Sequence, residues 1–211
     1  MPQPSVIRGD DGVRRCWWGA SSPEYARYHD EEWGRPVTGD DALYERLSLE
    51  GFQAGLAWIT ILRKREAFRA AFAGFRIDEV AAFGRRDVAR LMRDDGIVRN
   101  RLKIEAAIEN ARRAVELRDE LGSLAAFFAR FREGRRPAPR TRADLPATTP
   151  GSVALSRELK KRGFRFVGPT TVYATMQACG LVNDHLVGCA VRGEVGRAQR
   201  REWAAAGARR T

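Results

Sequence analysis

Along most of this chain apolar residues recur at intervals of three and four, the spacing that gathers them on one face of a helix. No segment sustains the period-two alternation of a half-buried strand, so the pattern predicts an all-α fold. Residues 23–73 are mostly helical by this criterion. Ser21 and Ser22 stand before Pro23; serine caps a helix and proline is tolerated in its first turn. Thr38-Gly39-Asp40-Asp41 is a second start signal, followed by Leu43, Leu47, Phe52, Leu56, Ile59 and Leu62 at roughly helical spacing. Asp78 and Asp87 are placed to cap two short helices, over 78–83 and 87–92. Gly96 interrupts, and a helix resumes near Asn100 with Ile104, Ile108, Ala111 and Val115 on one face. A further helix is expected over 121–131. Residues 133–152, rich in Arg, Pro, Thr and Gly, read as a long connection. Helix returns over 152–162, breaks at Gly163 and at Gly168-Pro169, runs over 170–179 and stops at Gly180. Asn183 or Asp184 is expected to cap a last short helix. Residues 1–13 read as a flexible arm, 14–191 as one helical domain, and 192–211 as a basic tail that either extends a helix or stays disordered.

Composition narrows the class. The 211 residues are 44% hydrophobic and 31% charged, a globular balance for one compact domain. No apolar run approaches the roughly 18 residues of a membrane span, and residues 1–15 lack the apolar stretch of a signal peptide. Three cysteines, an odd number, argue against a disulfide framework and for a reducing compartment, the cytoplasm. Lys and Arg total 38 against 27 Asp and Glu, a net charge of +11. That excess suits a polyanion such as nucleic acid. Some of it is arginine from Arg192 to Arg210, where side chains can be solvated without a partner.

The only two histidines, His29 and His185, each lie near a cysteine. Cys16 precedes His29 by thirteen positions, and Cys189 follows His185 by four, a spacing that shares one face if the segment is helical. Together Cys16, His29, His185 and Cys189 make the donor set of a tetrahedral zinc site. Four protein ligands leave no position for a catalytic water, so such a Zn2+ site is structural and ties the two ends of the chain together. The spacing differs from common zinc fingers, and ordinary packed side chains are the alternative. Cys179, in apolar surroundings, reads as a small core residue.

Trp17, Trp18, Tyr25, Tyr28 and Trp33 cluster near the N-terminus. Glu50 sits among apolar residues beside Gly51, with Gly55 and Trp58 further on, two helical turns beyond the carboxylate and on its face. One reading is a satisfied core carboxylate beside packing aromatics. The other is a pocket for a planar, electron-poor group, since aromatic faces attract cations and a carboxylate accepts N–H bonds.

Longer stretches carry a resemblance. Tyr25-Ala26-Arg27-Tyr28-His29-Asp30-Glu31-Glu32-Trp33-Gly34 is one; the run from Leu49 to Leu62 and the run from Gly96 to Ile104 are two more. The strongest is Leu159-Lys160-Lys161-Arg162-Gly163-Phe164-Arg165-Phe166-Val167-Gly168-Pro169-Thr170-Thr171, continuing through Met176-Gln177-Ala178-Cys179-Gly180-Leu181-Val182-Asn183-Asp184-His185. Over about residues 14–190 the chain resembles the 3-methyladenine DNA glycosylase I family. The resemblance implies a helix-hairpin-helix glycosylase fold, with a zinc site on Cys16, His29, His185 and Cys189. It implies a bacterial enzyme that flips the damaged base out of double-stranded alkylated DNA and hydrolyses its glycosidic bond. A monofunctional reaction is expected because no lysine stands out as a lyase nucleophile, and a monomer is the default. Trp58 and Tyr28 would contact the flipped base and Glu50 would act as the catalytic carboxylate on its edge. Near residues 163–171 the hairpin would meet a DNA phosphate through Gly163, Gly168, Thr170 and Thr171, helped by Lys160 and Lys161. Asp184 is the nearest candidate for a water-activating carboxylate, unless it only caps a helix. A zinc-stabilised DNA-binding module without catalysis is the competing class; it leaves Glu50, Trp58 and Tyr28 unexplained. A glycosylase for a wider set of alkylated purines is the other alternative.

Overall fold

The computed structural model describes residues 5–133 and 136–208. Ten α-helices account for most of them: α1 Pro23–Glu31, α2 Asp40–Gln53, α3 Trp58–Ala71, α4 Ile77–Ala81, α5 Arg85–Leu91, α6 Arg101–Leu121, α7 Leu124–Ala129, α8 Pro150–Lys161, α9 Pro169–Ala178 and α10 Arg192–Ala208. Of the expected caps Ser22 and Asn100 hold, whereas Asp78 and Asp87 lie inside the first turns of α4 and α5, whose N-caps are Arg76 and Gly84. Ser22 accepts from the Tyr25 amide at 3.2 Å and Asn100 from the Lys103 amide at 3.2 Å.

Helix α2 is the centre of the fold. It packs against α3, α6, α7 and α9, so residues around most of its circumference are buried, Glu50 included. It does not run on to Leu62. Gly55, at φ +84°, breaks the chain, and Lys103 reaches over from α6 to donate to the Phe52 and Ala54 carbonyls at 2.8 and 2.5 Å. Trp58 therefore begins a new helix. Glu50 and Trp58 do not share a helix face, although the return of α3 along α2 brings the two side chains to one cavity.

Between α8 and α9 the chain turns in a hairpin. Gly163, at φ +85°, ends α8 with its amide bonded to the Lys160 carbonyl at 2.9 Å, while the Phe164 amide reaches the Leu159 carbonyl at 3.0 Å. Asn110 of α6 clamps Arg165 by both backbone groups, at 2.7 and 3.0 Å, and Ser156 donates to the Val167 carbonyl at 2.6 Å. These bonds hold a tip where Phe166 takes the left-handed conformation, at φ +55°.

Two further expectations change, and the basic tail takes the helical one of its two alternatives. Residues 5–16, part of which was read as an arm, carry a hairpin of β1 Val6–Arg8 and β2 Arg14–Cys16, closed by a Gly9–Val13 bond of 2.9 Å. Its Asp11-Gly12 turn is the legible signal; three-residue strands are too short to show a period. No helix starts at Asn183 or Asp184. Residues 183–191 run as an extended loop and turns, held because Asn183 and Arg192 exchange side-chain to carbonyl bonds at 3.1 and 3.2 Å. The basic tail is helical to residue 208. In α10, Val195, Trp203 and Ala206 are buried, the Trp203 indole donates to the Cys179 carbonyl at 3.2 Å, and Gln199 donates to the Gly34 and Val182 carbonyls. Trp203→Ala is expected to cost roughly 3–5 kcal/mol, the usual toll of a large core cavity. Thermal unfolding measures it, and an unchanged midpoint would mean that α10 does not dock.

Candidate functional site

A cavity of about 340 Å³ opens between α1, α2, α3 and α9, walled by Trp18, Tyr28, Trp33 and Trp58, with Glu50 in its lining. The Tyr28 and Trp58 rings lie 5.4 Å apart, tilted by 42°. Trp18 and Trp33 meet edge to face at 5.0 Å. The Tyr25 hydroxyl accepts from the Ile59 amide at 3.1 Å, tying α1 to the first turn of α3 and so fixing Trp58.

Glu50 is only 6% exposed, and among the described residues its carboxyl takes no hydrogen bond from protein. Burial pushes its pKa up to about 8, with Arg46, one turn earlier on α2, pulling the other way. Burial, and next the Glu50 charge, likewise raise the Tyr28 phenol. Arg46 offsets this only in part: it holds Glu32 at 2.6 Å and lies 6.0 Å from the Tyr28 ring centre, while its Nη1 is buried without a hydrogen-bond partner. The Trp58 indole nitrogen is also buried without a partner. An uncompensated carboxyl, a ring of aromatic faces and an unused indole N–H together form a site for a flat molecule with a polar edge.

The four metal-ligating residue types do converge. The donor atoms of Cys16, His29, His185 and Cys189 all lie within 4.8 Å of one another, and all four side chains are buried. Cys189 is not on a helix with His185; the Leu186–Cys189 turn, its amide bond 3.0 Å long, brings it round. His185 Nδ1 and His29 Nε2 face the Cys189 sulfur, each at 3.6 Å. Their other nitrogens face acceptors: His185 Nε2 the Trp33 carbonyl at 3.0 Å, and His29 Nδ1 the Asp30 carboxylate at 2.8 Å. That arrangement leaves one lone pair per ring aimed inward, as a metal requires. Cys189 is held well below the usual thiol range, first by the Cys16 thiol and then, against burial, by the His185 and His29 rings. The cluster can hold a metal ion. It also abuts the cavity, for Trp33 packs on His185 at 4.7 Å and Trp18 on His29 at 5.1 Å.

The comparisons decide the family. The sequence model of the methyladenine glycosylase family matches residues 17–192. The chain belongs to that family. This glycosylase-family protein is 48% identical over 179 residues to DNA-3-methyladenine glycosylase 1 of Escherichia coli, covering 84% of this chain and 96% of the relative. It is 42% identical over 178 residues to DNA-3-methyladenine glycosylase of Haemophilus influenzae, 83% of this chain and 96% of that one. Among solved structures, a Staphylococcus aureus 3-methyladenine DNA glycosylase I, described for its recognition of 3-methyladenine, superposes with a TM-score of 0.80 at 35% identity, over 84% of this chain and 96% of its own.

The sequence-selected residues of this glycosylase-family chain fall in three groups. Glu50, Tyr28 and Trp58 share the cavity. Gly168, Thr170 and Thr171 lie at the start of α9, where the Thr170 and Thr171 amides have no intrahelical partner and a Cβ on Gly168 would meet open space. Lys160, Lys161 and Gly163 lie at the end of α8, on the far side of the hairpin; both lysines are exposed, while the Gly163 amide is consumed by the helix cap. Asp184 is outside the cavity. It is buried under the Tyr173 hydroxyl and the Gln177 amide, 2.9 Å away, and caps no helix. Gln53, Gln177, Trp18 and Trp33 line the cavity without having been singled out for it. Only the density of Trp near the N-terminus hinted at the last two.

Proposed function

We propose that this chain is a monofunctional DNA glycosylase that flips 3-methyladenine out of double-stranded alkylated DNA and releases it by hydrolysis. The observation that carries this is Glu50, a buried carboxyl without a protein partner in an aromatic cavity. A neutral purine gains little from such a site. A methylated one carries positive charge in DNA, so Trp58 and Tyr28 attract it through their faces and Glu50 accepts from its edge. The cation also favours the ionised carboxyl that burial disfavours, so Glu50 loses its proton to solvent water when the damaged base arrives. Stabilising the bound cation holds the base in the form that leaves the sugar as a neutral molecule.

Single-step hydrolysis, without an amine nucleophile, is supported by where the amines are. Of the chain's four lysines, Lys103 is spent on the α2 carbonyls and Lys64 on those of Asp95 and Gly96, while Lys160 and Lys161 sit on α8. Gly168, Thr170 and Thr171 offer free amides to a phosphate of the duplex, and Lys160 and Lys161 add charge. Gly163 serves by shaping the hairpin.

The metal we assign is a structural zinc ion. A tetrahedral centre with Zn–S of about 2.3 Å and Zn–N of about 2.0–2.1 Å has S···N edges of about 3.5–3.6 Å and N···N edges of about 3.3–3.4 Å. The corresponding separations here are 3.6 Å for both imidazole contacts of Cys189, 3.2 Å between the imidazoles, and a longer 4.0 Å from the Cys16 sulfur to His185 Nδ1. Zinc would join the β-hairpin and α1 to the 183–191 loop. We place the protein, as a monomer, in the cytoplasm of a bacterial cell; no helix of the described residues is long and apolar enough to cross a membrane.

The test is base release from methylated DNA, with the products separated by chromatography. Release of 3-methyladenine with little 7-methylguanine is expected, and no DNA adduct trapped by borohydride. Trp58→Ala is expected to slow release by roughly 10-fold or more, from about 1–3 kcal/mol of lost stacking. Failure of the folded, DNA-binding protein to release any base would leave a binding module in place of the enzyme.

A further inference from the structure

A second cavity, of about 760 Å³, lies between α10, residues 181–184 and the segment carrying Arg132 and Arg136. Four guanidiniums line it: Arg132, Arg136, Arg192 and Arg200. Two carboxylates, Asp184 and Glu133, do so as well and offset part of that charge, since both favour the Arg136 cation; each also accepts a hydrogen bond from a neutral donor. Asp184 accepts from Tyr173 and Gln177, and Glu133 from the Gly151 amide at 2.9 Å. Arg136 comes no nearer to Asp184 than 3.7 Å, and its Nη1 is buried without a hydrogen bond. Arg192 is turned to the Asn183 and His185 carbonyls. Neither Arg132 nor Arg200 forms an ion pair among the described residues. Burial and the charge of Arg200 both disfavour the Arg132 cation. Like charges gathered round a partly buried space are costly unless an anion shares it. Several planar forks converging from different elements match the oxygens of a phosphate group.

We propose that this cavity is a phosphate-binding site, distinct from the amides at the start of α9, and that a backbone phosphate of the bound DNA strand fills it. The assignment of DNA as the source rests on the glycosylase reading. Gln177 links the two places: its side chain lines the aromatic cavity and donates to Asp184, which lines the arginine cavity. A phosphate held here is thus one side-chain contact from the base site. Most of the helix that supplies Arg200 lies beyond the residues matched by the family, which end at 192.

The experiment compares the full chain with Arg132→Gln, Arg200→Gln and the double variant. Duplex affinity is measured against salt concentration, and free 3-methyladenine binding is followed by tryptophan fluorescence. Each lost arginine is expected to flatten the slope of log affinity against log salt by about one, with free-base binding unchanged. Arg200→Lys, which keeps charge without the fork, should retain most of the slope and shows that the fold is not at issue. A thermal midpoint raised by millimolar inorganic phosphate in the parent and not in the double variant, with unaltered DNA slopes, would keep the phosphate site and assign it to a free anion. Unaltered slopes with no response to phosphate would overturn the proposal. Failure of the parent chain to release 3-methyladenine from methylated DNA would instead count against the glycosylase reading, which keeps the two failures separable.

Discussion

Glu50→Gln is expected to slow release of 3-methyladenine by roughly 10- to 100-fold near neutral pH while leaving duplex binding intact. The amide keeps a hydrogen-bonding edge but loses the charge, and a hydrogen bond to a charged group contributes about 1.5–3 kcal/mol. The same substitution should stabilise the free protein, and the sign follows from linkage. Burial raises the carboxyl from 4.5 in the unfolded chain to about 8 in the fold. Between these values the folded state holds a proton that the unfolded state has lost. This group's contribution to stability is therefore fully present below pH 4.5, falls by about 1.4 kcal/mol per pH unit up to pH 8, and is level above that. Glutamine has no such loss. The gap in thermal midpoint between Glu50→Gln and the parent should open from pH 5 to pH 8 and then stop growing. In the parent, release should rise with pH and level off below 8, because the cationic base lowers the pKa of its partner. A variant with full activity, or one whose stability gap ignores pH, would remove Glu50 from the site we describe.

Cys189→Ser, or removal of metal by a chelator, is expected to lower the thermal midpoint by roughly 10–20 °C. A structural zinc contributes several kcal/mol to folding, and a chain of this length shifts by about 2–4 °C per kcal/mol. The effect on chemistry should be smaller and indirect. Trp33 and Trp18 pack on the His185 and His29 rings and also line the base cavity, so loosening the cluster blurs the pocket without removing a reacting group. Metal analysis of the purified protein should find one zinc per chain. A folded, duplex-binding Cys189→Ser protein with no base release at all would overturn the structural role, and a stable parent free of zinc would overturn the metal.

Helix positions were legible because they depend on neighbours three and four residues apart and on single capping side chains. Asn100, Ser22 and the Gly163 stop all act as their chemistry predicts. Legibility failed where a long-range bond sets the local path. Lys103 closes α2 from 49 residues away, and the Asn183–Arg192 exchange holds the 183–191 loop out of a helix. The buried face of α10 went unread because alanine and arginine dominate the helix, while Val195, Gln199, Trp203 and Ala206, the residues it buries, are only four of seventeen.

By residue type and order alone, the sequence determined the helical class, the one pair of cysteines and one pair of histidines suited to a metal, and the odd carboxylate at Glu50. Only the tertiary structure decided what these groups are. Burial by four surrounding helices, not any neighbour in sequence, raises Glu50, because the cost of a charge depends on the solvent removed from it. Contacts spanning more than 150 residues close the Cys16, His29, His185 and Cys189 cluster and seat His185 on the Trp33 carbonyl. The arginines of the second cavity come from segments far apart in the chain, and their repulsion exists only once the fold has brought them together.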